Sequence, residues 1–278
     1  MSFKNILSAD STGIGWFAIS KYAAFKSYFK KLIPDHMRNA KLFTWLLAGV
    51  TLTAAPGFTS DETFENPQKE KWVTLFDGKT LKGWHNYNQT GVKGWVVEDG
   101  ALISEGTGGD LVTDKEYGDF ELEFEFKIPT GSNSGVVYKV VEKPEIARTI
   151  FSGPEYQIID DANYKVKNAD GKETGLHPGQ LSGANYDMNP PSDPTAFKPA
   201  GTWNTGRIVV KDNVIKHYLN GKLVVEYTYG NDEWKTNLTK SKFKDWPYAT
   251  PHAKGKIALQ NHNAKEKVYF GTIRIREI

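Results

Sequence analysis

From Phe120 to Lys127 the chain reads Phe-Glu-Leu-Glu-Phe-Glu-Phe-Lys, apolar and charged residues alternating without a break. A helix turns every 3.6 residues and cannot keep two such classes apart, whereas a strand sends successive side chains to opposite faces. The segment is therefore expected to be a half-buried strand with its four apolar residues inward. Shorter runs of strand character recur at 94–97, 101–104, 135–141, 155–159, 207–211, 214–219, 223–227, 256–260 and 268–276. Asp99-Gly100 and Asn220-Gly221 each join two such runs, and both dipeptides suit the positive φ of type I′ turns. No sustained helical period appears in the body of the chain, and only residues 231–240 are expected to form a short helix. Many short strands between frequent turns predict an all-β sandwich or jelly roll.

Two stretches break this rhythm. Residues 160–200 are rich in Asn, Gly and Pro, and residues 229–254 in Lys, Trp and Pro. Irregular segments of this length inside one domain are usually lids or binding loops, so both are expected to border a site. The N-terminus has a different pattern again. Met37-Arg38-Asn39-Ala40-Lys41 is a short basic start, residues 42–52 are an apolar run, and Thr53-Ala54-Ala55-Pro56-Gly57 follows. This is the layout of a secretory signal peptide, with Met37 as the natural start or residues 1–36 as an extension ahead of it. The apolar run is too short for a comfortable membrane span. The expected organisation is an extension with its signal peptide at 1–57, a polar linker at 58–71 and a single domain at 72–278. The expected location is periplasmic or extracellular, with no stable membrane span after cleavage.

Composition narrows the chemistry. A formal charge of +2 over 278 residues argues against nucleic acid as the main partner, because phosphate binding wants a clustered basic excess. The lack of cysteine excludes disulfides, thiolate catalysis and cysteine–zinc sites. No nucleophile elbow, P-loop, zinc-binding His-Glu-x-x-His or dinucleotide fingerprint is present. What remains is polar residues on strands, where alternation would ask for apolar ones. Glu155 and Gln157 share one strand face, and Gln260 and His262 share another at a strand end. Lys139 is expected on the face of Val137. His217 falls on an apolar face with Ile215 and Leu219, which is more often the place of a hydrogen-bonded core histidine. Eight Trp and thirteen Tyr exceed the needs of one core, and exposed rings stack on the apolar faces of sugars. Trp203 beside a turn and Tyr186 in the first long stretch are candidates for that role. Asp160-Asp161 and Asp110 offer oxygen ligands to Ca²⁺, but no calcium-loop pattern surrounds them, so no metal site and no cofactor is assigned.

Taken in order, longer motifs resemble those of one family. The segment Val73-Thr74-Leu75-Phe76-Asp77-Gly78-Lys79-Thr80-Leu81-Lys82-Gly83-Trp84 is similar to the opening of the 3-keto-disaccharide hydrolase family. Tyr117-Gly118-Asp119-Phe120-Glu121-Leu122, Asn133-Ser134-Gly135, residues 153–161, Lys198-Pro199-Ala200-Gly201-Thr202-Trp203-Asn204, His217-Tyr218-Leu219-Asn220-Gly221, Ser241-Lys242-Phe243-Lys244 and residues 257–262 follow it in sequence. The resemblance implies a concanavalin A-like jelly roll of two curved antiparallel sheets, with a carbohydrate substrate on the concave face. It also implies export in bacteria, hydrolysis of 3-keto-glycosides, and a functional link to a sugar 3-dehydrogenase that supplies the ketone. His262 or Glu155 is then the expected base or acid and Lys139 their electrostatic partner. Gln157, Asn133 and Gln260 would orient substrate, and His217 is a second catalytic candidate. The chain departs from the family pattern at Lys139, where Arg is usual, and at Gln260-Asn261-His262-Asn263, where Gln-Asp-His-Gly is usual. The alternative reading is a lectin-like binding module on the same scaffold, since sandwiches host both.

Overall fold

The alternating segment is strand β6 (Phe120–Lys127) in the middle of an eight-stranded antiparallel sheet. The computed structural model describes residues 71–262 and 267–278, so the expected signal peptide and residues 58–70 of the expected linker lie outside the described residues. The other strands of this sheet are β1 (Val73–Phe76), β3 (Trp95–Glu98), β4 (Ala101–Ser104), β11 (Asn204–Lys211), β12 (Val214–Leu219), β13 (Lys222–Thr228) and β15 (Tyr269–Glu277). They run in the order β13-β12-β11-β6-β15-β4-β3, with β1 also paired to β15. The four apolar side chains of β6 are buried, as the alternation predicts. Each such ring or branched chain removed from water contributes about 1.5–3 kcal/mol. Asp99 with Gly100, and Asn220 with Gly221, all adopt positive φ and close the two tight hairpins.

The second sheet has five strands in the order β2 (Trp84–Asn86), β5 (Leu111–Thr113), β14 (Lys256–Leu259), β7 (Asn133–Val140) and β8 (Glu155–Ile159). Its inner face sends Val136, Tyr138, Tyr156, Ile158 and Leu259 against the first sheet in one common core. Phe124 and Tyr156 meet edge to face at 5.2 Å across the sandwich. The outer face of this sheet is not bare. Val112, Val137, Val140, Ala258 and Tyr87 form a separate apolar cluster there.

The ladder is broken by bulges in several places, and the one that matters for the site is in β7. Lys256 pairs with Val140 and Ala258 with Val137, so three steps on β7 face two on β14. Lys139 absorbs the extra residue at φ 54°. This bulge is why Val137 and Val140, three apart, share a face. A Cβ on Gly255 would lie 2.2 Å from the Lys139 carbonyl carbon, so only glycine tolerates the close approach of this strand.

The two irregular stretches are more ordered than their composition suggests. The first carries a small hairpin of β9 (Val166–Lys167) and β10 (Glu173–Thr174). The second carries helix α1 (Asp232–Lys240), capped by Asn231 Oδ1, which accepts from Trp234 N at 2.8 Å. Trp234 is buried and packs edge to face on Tyr229 at 5.0 Å. Among the described residues no helix is long and apolar enough to cross a membrane.

Candidate active site

Strand β8 turns Tyr156 and Ile158 into the core and leaves Glu155 and Gln157 on the outer face, as their alternation predicts. Glu155 sits opposite Val137, and Gln157 opposite Gly135. The Glu155 carboxyl lies over Gly135, where an added Cβ would come within 2.1 Å of Oε1. The glycine of the Asn133-Ser134-Gly135 motif therefore makes room for the acid. Asn133 precedes Gly135 by two residues on the same strand face and pairs with Ile159. Beyond β14 the chain keeps pairing with β7, Gln260 N donating to Gly135 O at 2.9 Å. This places the Gln260 side chain in a hydrogen bond with Glu155.

Glu155 is 4% exposed, and its pKa is pushed up to about 8. Burial is the main cause, and the Asp110 and Asp187 carboxylates add to it. The Lys242 ammonium and the Gln260 hydrogen bond act in the opposite direction. At neutral pH the group is mostly a neutral acid.

The long loops supply the surrounding charges. Residues 183–186 run along the edge of β8, with Gln157 N donating to Ala184 O and Tyr186 N to Glu155 O. They cover backbone groups that an edge strand would otherwise expose. The same loop delivers Tyr186 and Asp187. Lys242 arrives from the other loop, with Nζ 2.6 Å from Asp187 Oδ2 and donating to the Tyr186 hydroxyl at 3.0 Å. Burial works to lower the Lys242 pKa, but these two hydrogen bonds outweigh it and hold the ammonium above its ordinary range. His177 Nε2 lies 2.8 Å from the other Asp187 oxygen.

On the other side of Gln260 lies a cavity of about 300 Å³, lined by Tyr87, Asp110, Arg148, Gln260 and His262 among others. Asp110 accepts from Thr149 Oγ1 at 2.5 Å and from Asn261 N at 2.9 Å. Burial raises its pKa against those hydrogen bonds and against the nearby Arg148 and His262. His262 is exposed and meets the Tyr164 ring edge-on at 6.2 Å.

The structure thus gathers Glu155, Gln157, Asn133, Gln260, Tyr186 and His262 on or beside one sheet face. Three expected site residues stand elsewhere. Lys139 lies in the bulge, where its side chain leaves the face of Val137 and donates to Ala253 O at 3.0 Å. Burial lowers its pKa, and the charge opposing that shift is Asp119, not Glu155. His217 is fully buried between the sheets, its ring nitrogens 2.9 Å from Gly183 O and from the Tyr138 hydroxyl. Burial takes its pKa down to about 4, so it is a neutral core residue. Trp203 is 40% exposed beside the other sheet, with Lys127 Nζ 5.1 Å from its ring centre and Gly271 of β15 against its edge.

Sequence reasoning did not single out Lys242, Asp187 or Arg148 for the site. Two of them lie in the long irregular stretches, and Lys242 also stands in the Ser241-Lys242-Phe243-Lys244 motif of the resemblance, but neither signal assigned a role. Asp160, considered for Ca²⁺, accepts instead from the backbone N–H groups of Gly131, Ala162 and Asn163 and from Asn163 Nδ2. Among the described residues no three His, Asp or Glu side chains group as metal ligands.

Comparison with known proteins identifies the family and the fold. The model of the 3-keto-alpha-glucoside-1,2-lyase-like domain family matches residues 71–276. A 3-keto-disaccharide hydrolase of Bacteroides thetaiotaomicron is 33% identical over 233 residues, which is 74% of this chain and 78% of the relative. The crystal structure of a proposed glycosyl hydrolase from Parabacteroides distasonis superposes with a TM-score of 0.70 at 37% identity, covering 74% of this chain and 94% of that one. Another from the same organism gives 0.57 at 30% identity, over 75% and 100% of the two chains. The chain belongs to the 3-keto-alpha-glucoside-1,2-lyase-like family, and it is a hydrolase of the glycosidase type.

Proposed function

We propose that this protein cleaves 3-keto-glycosides outside the cytoplasm by elimination and rehydration. A ketone at C3 acidifies the C2 proton. Removal of that proton gives an enolate, whose collapse expels the C1 oxygen with the aglycone and leaves a C1–C2 double bond conjugated to the ketone. Water then adds at C1 and a proton returns to C2, so the net change is hydrolysis. This needs a base, a donor for the leaving oxygen and positive charge near the C3 oxygen, and it does not need the paired carboxylates of ordinary glycosidases.

One observation carries the reading: a carboxyl that is neutral near pH 7 stands buried beside a fixed ammonium. Glu155 is assigned as the proton donor, Lys242 as the charge that steadies the enolate, and His262 at the cavity wall as the base. Gln260 orients Glu155. Lys242 takes the role expected of Lys139. The family and the Bacteroides relative, both named for 3-keto sugars, support the substrate class. Export rests on the signal-like residues 37–57. A sugar 3-dehydrogenase must supply the ketone, since nothing in the cleavage step oxidises C3.

The test is incubation of the purified protein in D₂O with a 3-keto-glucoside and with its unoxidised parent, following aglycone release and deuterium at C2. Release from the keto form alone, with enzyme-dependent label at C2, is expected. Equal release from both, or release without label, removes the elimination route.

A further inference from the structure

The loop that covers β8 is held from beneath by a side chain with no part in the proposed reaction. His217 of β12 lies between the sheets, its ring edge-on to Tyr138 at 5.7 Å and tilted against Tyr156 at 4.9 Å. Its Nδ1 is 2.9 Å from Gly183 O, which can only accept, so Nδ1 carries the proton and donates. Nε2, 2.9 Å from the Tyr138 hydroxyl, is then an acceptor, and Tyr138 donates to it. The Tyr227 hydroxyl, 2.9 Å from that of Tyr138, must donate in turn. The chain of bonds therefore runs one way, from Tyr227 on β13 through Tyr138 on β7 to His217, and out to Gly183.

Gly183 adopts a φ of 83°, and an added Cβ would meet Val224 at 3.1 Å and Leu219 at 3.4 Å, so the loop starts close against β12 and β13. From there Gly183 N donates to Gln157 O at 2.9 Å, Gln157 N to Ala184 O at 3.1 Å, and Tyr186 N to Glu155 O at 3.0 Å. The next residue is Asp187, which fixes the Lys242 ammonium. A leucine at 217 would fill the space but would leave Gly183 O and the Tyr138 hydroxyl unpaired.

We infer that His217 is a positioning residue: its bond to Gly183 O seats the loop over Glu155 and so sets where Asp187 and Lys242 stand relative to that carboxyl. The inference rests on the reading of Glu155 as the proton donor. His217 is fully buried and acts only through the loop.

The experiment uses the full chain with His217→Asn and His217→Gln. The Asn amide nitrogen takes the place of Nδ1 and keeps the donor to Gly183. The Gln amide reaches the place of Nε2, keeps the partner of Tyr138 and loses Gly183. Amide exchange at Gln157 and Tyr186 is expected to be about tenfold faster than wild type for Gln and near wild type for Asn. On a 3-keto-glucoside, kcat is expected to fall about tenfold for Gln with little change in KM. Its loss of kcat/KM with rising pH, set near 8 by the burial of Glu155, should also move to lower pH as water reaches the carboxyl. His217→Asn recovers most of both. Equal losses in the two variants, or unchanged exchange for Gln, overturn the assignment. Nitrogen NMR of the wild-type imidazole needs no variant: a proton on Nδ1 is expected, and one on Nε2 instead overturns it. If the wild type cleaves no 3-keto-glucoside, the proposed reaction fails, and exchange and the tautomer alone decide whether His217 holds the loop.

Discussion

The two sheets each present an outer face with glutamates set by the same alternation, and the fates of those glutamates differ. On the eight-stranded sheet, Glu121 pairs with Arg207 at 2.9 Å and with Arg276, and Glu123 pairs with Arg274 at 2.8 Å. Arg207 also stacks on Tyr218 at 3.8 Å. A depression of about 560 Å³ lies on that face, larger than the cavity at His262, yet its Glu123, Arg207 and Arg274 are all engaged in ion pairs. On the five-stranded sheet, Glu155 has no arginine partner among its named interactions, and loops shut it from water. Carboxylates paired with arginine serve as ion pairs, whereas a desolvated one without such a partner becomes an acid able to work near neutral pH. The loops, not the strand pattern, make the difference.

The sharpest way to break this contrast is Glu155→Gln. It is expected to lower kcat about 10³-fold on a 3-keto-glycoside while far-ultraviolet circular dichroism stays unchanged. Wild-type kcat/KM should also fall as pH rises through about 8, because the donor form is then lost. A rise through that range would make Glu155 the base instead.

Next is stability. The pKa of Glu155 is raised on folding, so its contribution is fully present below the unfolded value near 4.5 and is lost as pH rises through about 8. Glutamine does not titrate. Denaturant unfolding should therefore show Glu155→Gln gaining on the wild type between pH 5 and pH 8.5, by up to about 4 kcal/mol. An identical gap at both pH values contradicts the buried, neutral acid.

Lys242→Met should cost about 10²-fold in kcat, the scale of one electrostatic stabiliser, with a smaller change in KM. If Lys139→Met costs more than Lys242→Met, the electrostatic role returns to the bulge residue. The smallest effect belongs to the outer face of the other sheet. Glu123→Gln is expected to change kcat/KM less than about twofold and stability by less than about 1 kcal/mol. A large loss of activity there would erase the distinction between the two faces.

Much of this was legible before the fold was seen. The face shared by Glu155 and Gln157, the strand-end place of Gln260 and His262, and the two tight hairpins all follow from local period and turn chemistry. Lys139 could not be placed the same way, because a bulge exists only in relation to the partner strand, and β14 lies more than a hundred residues away. His217 took the core position that its apolar neighbours favoured. Its ring supports Gly183, where the loop begins to cover β8. Trp203 illustrates the limit of counting aromatic rings, since exposure alone does not say which sheet a ring will border.

By itself the sequence determined the all-β class, the inward and outward sides of most strands, and the shared face of Glu155 and Gln157. Those properties depend on residues two apart, and two-residue periodicity is written directly in the chain. Only the tertiary structure decided that Asp187, Lys242 and Asp110 gather around Glu155, and hence that its carboxyl stays neutral. A pKa depends on which charges and how much water surround a group, and here they come from loops distant in sequence.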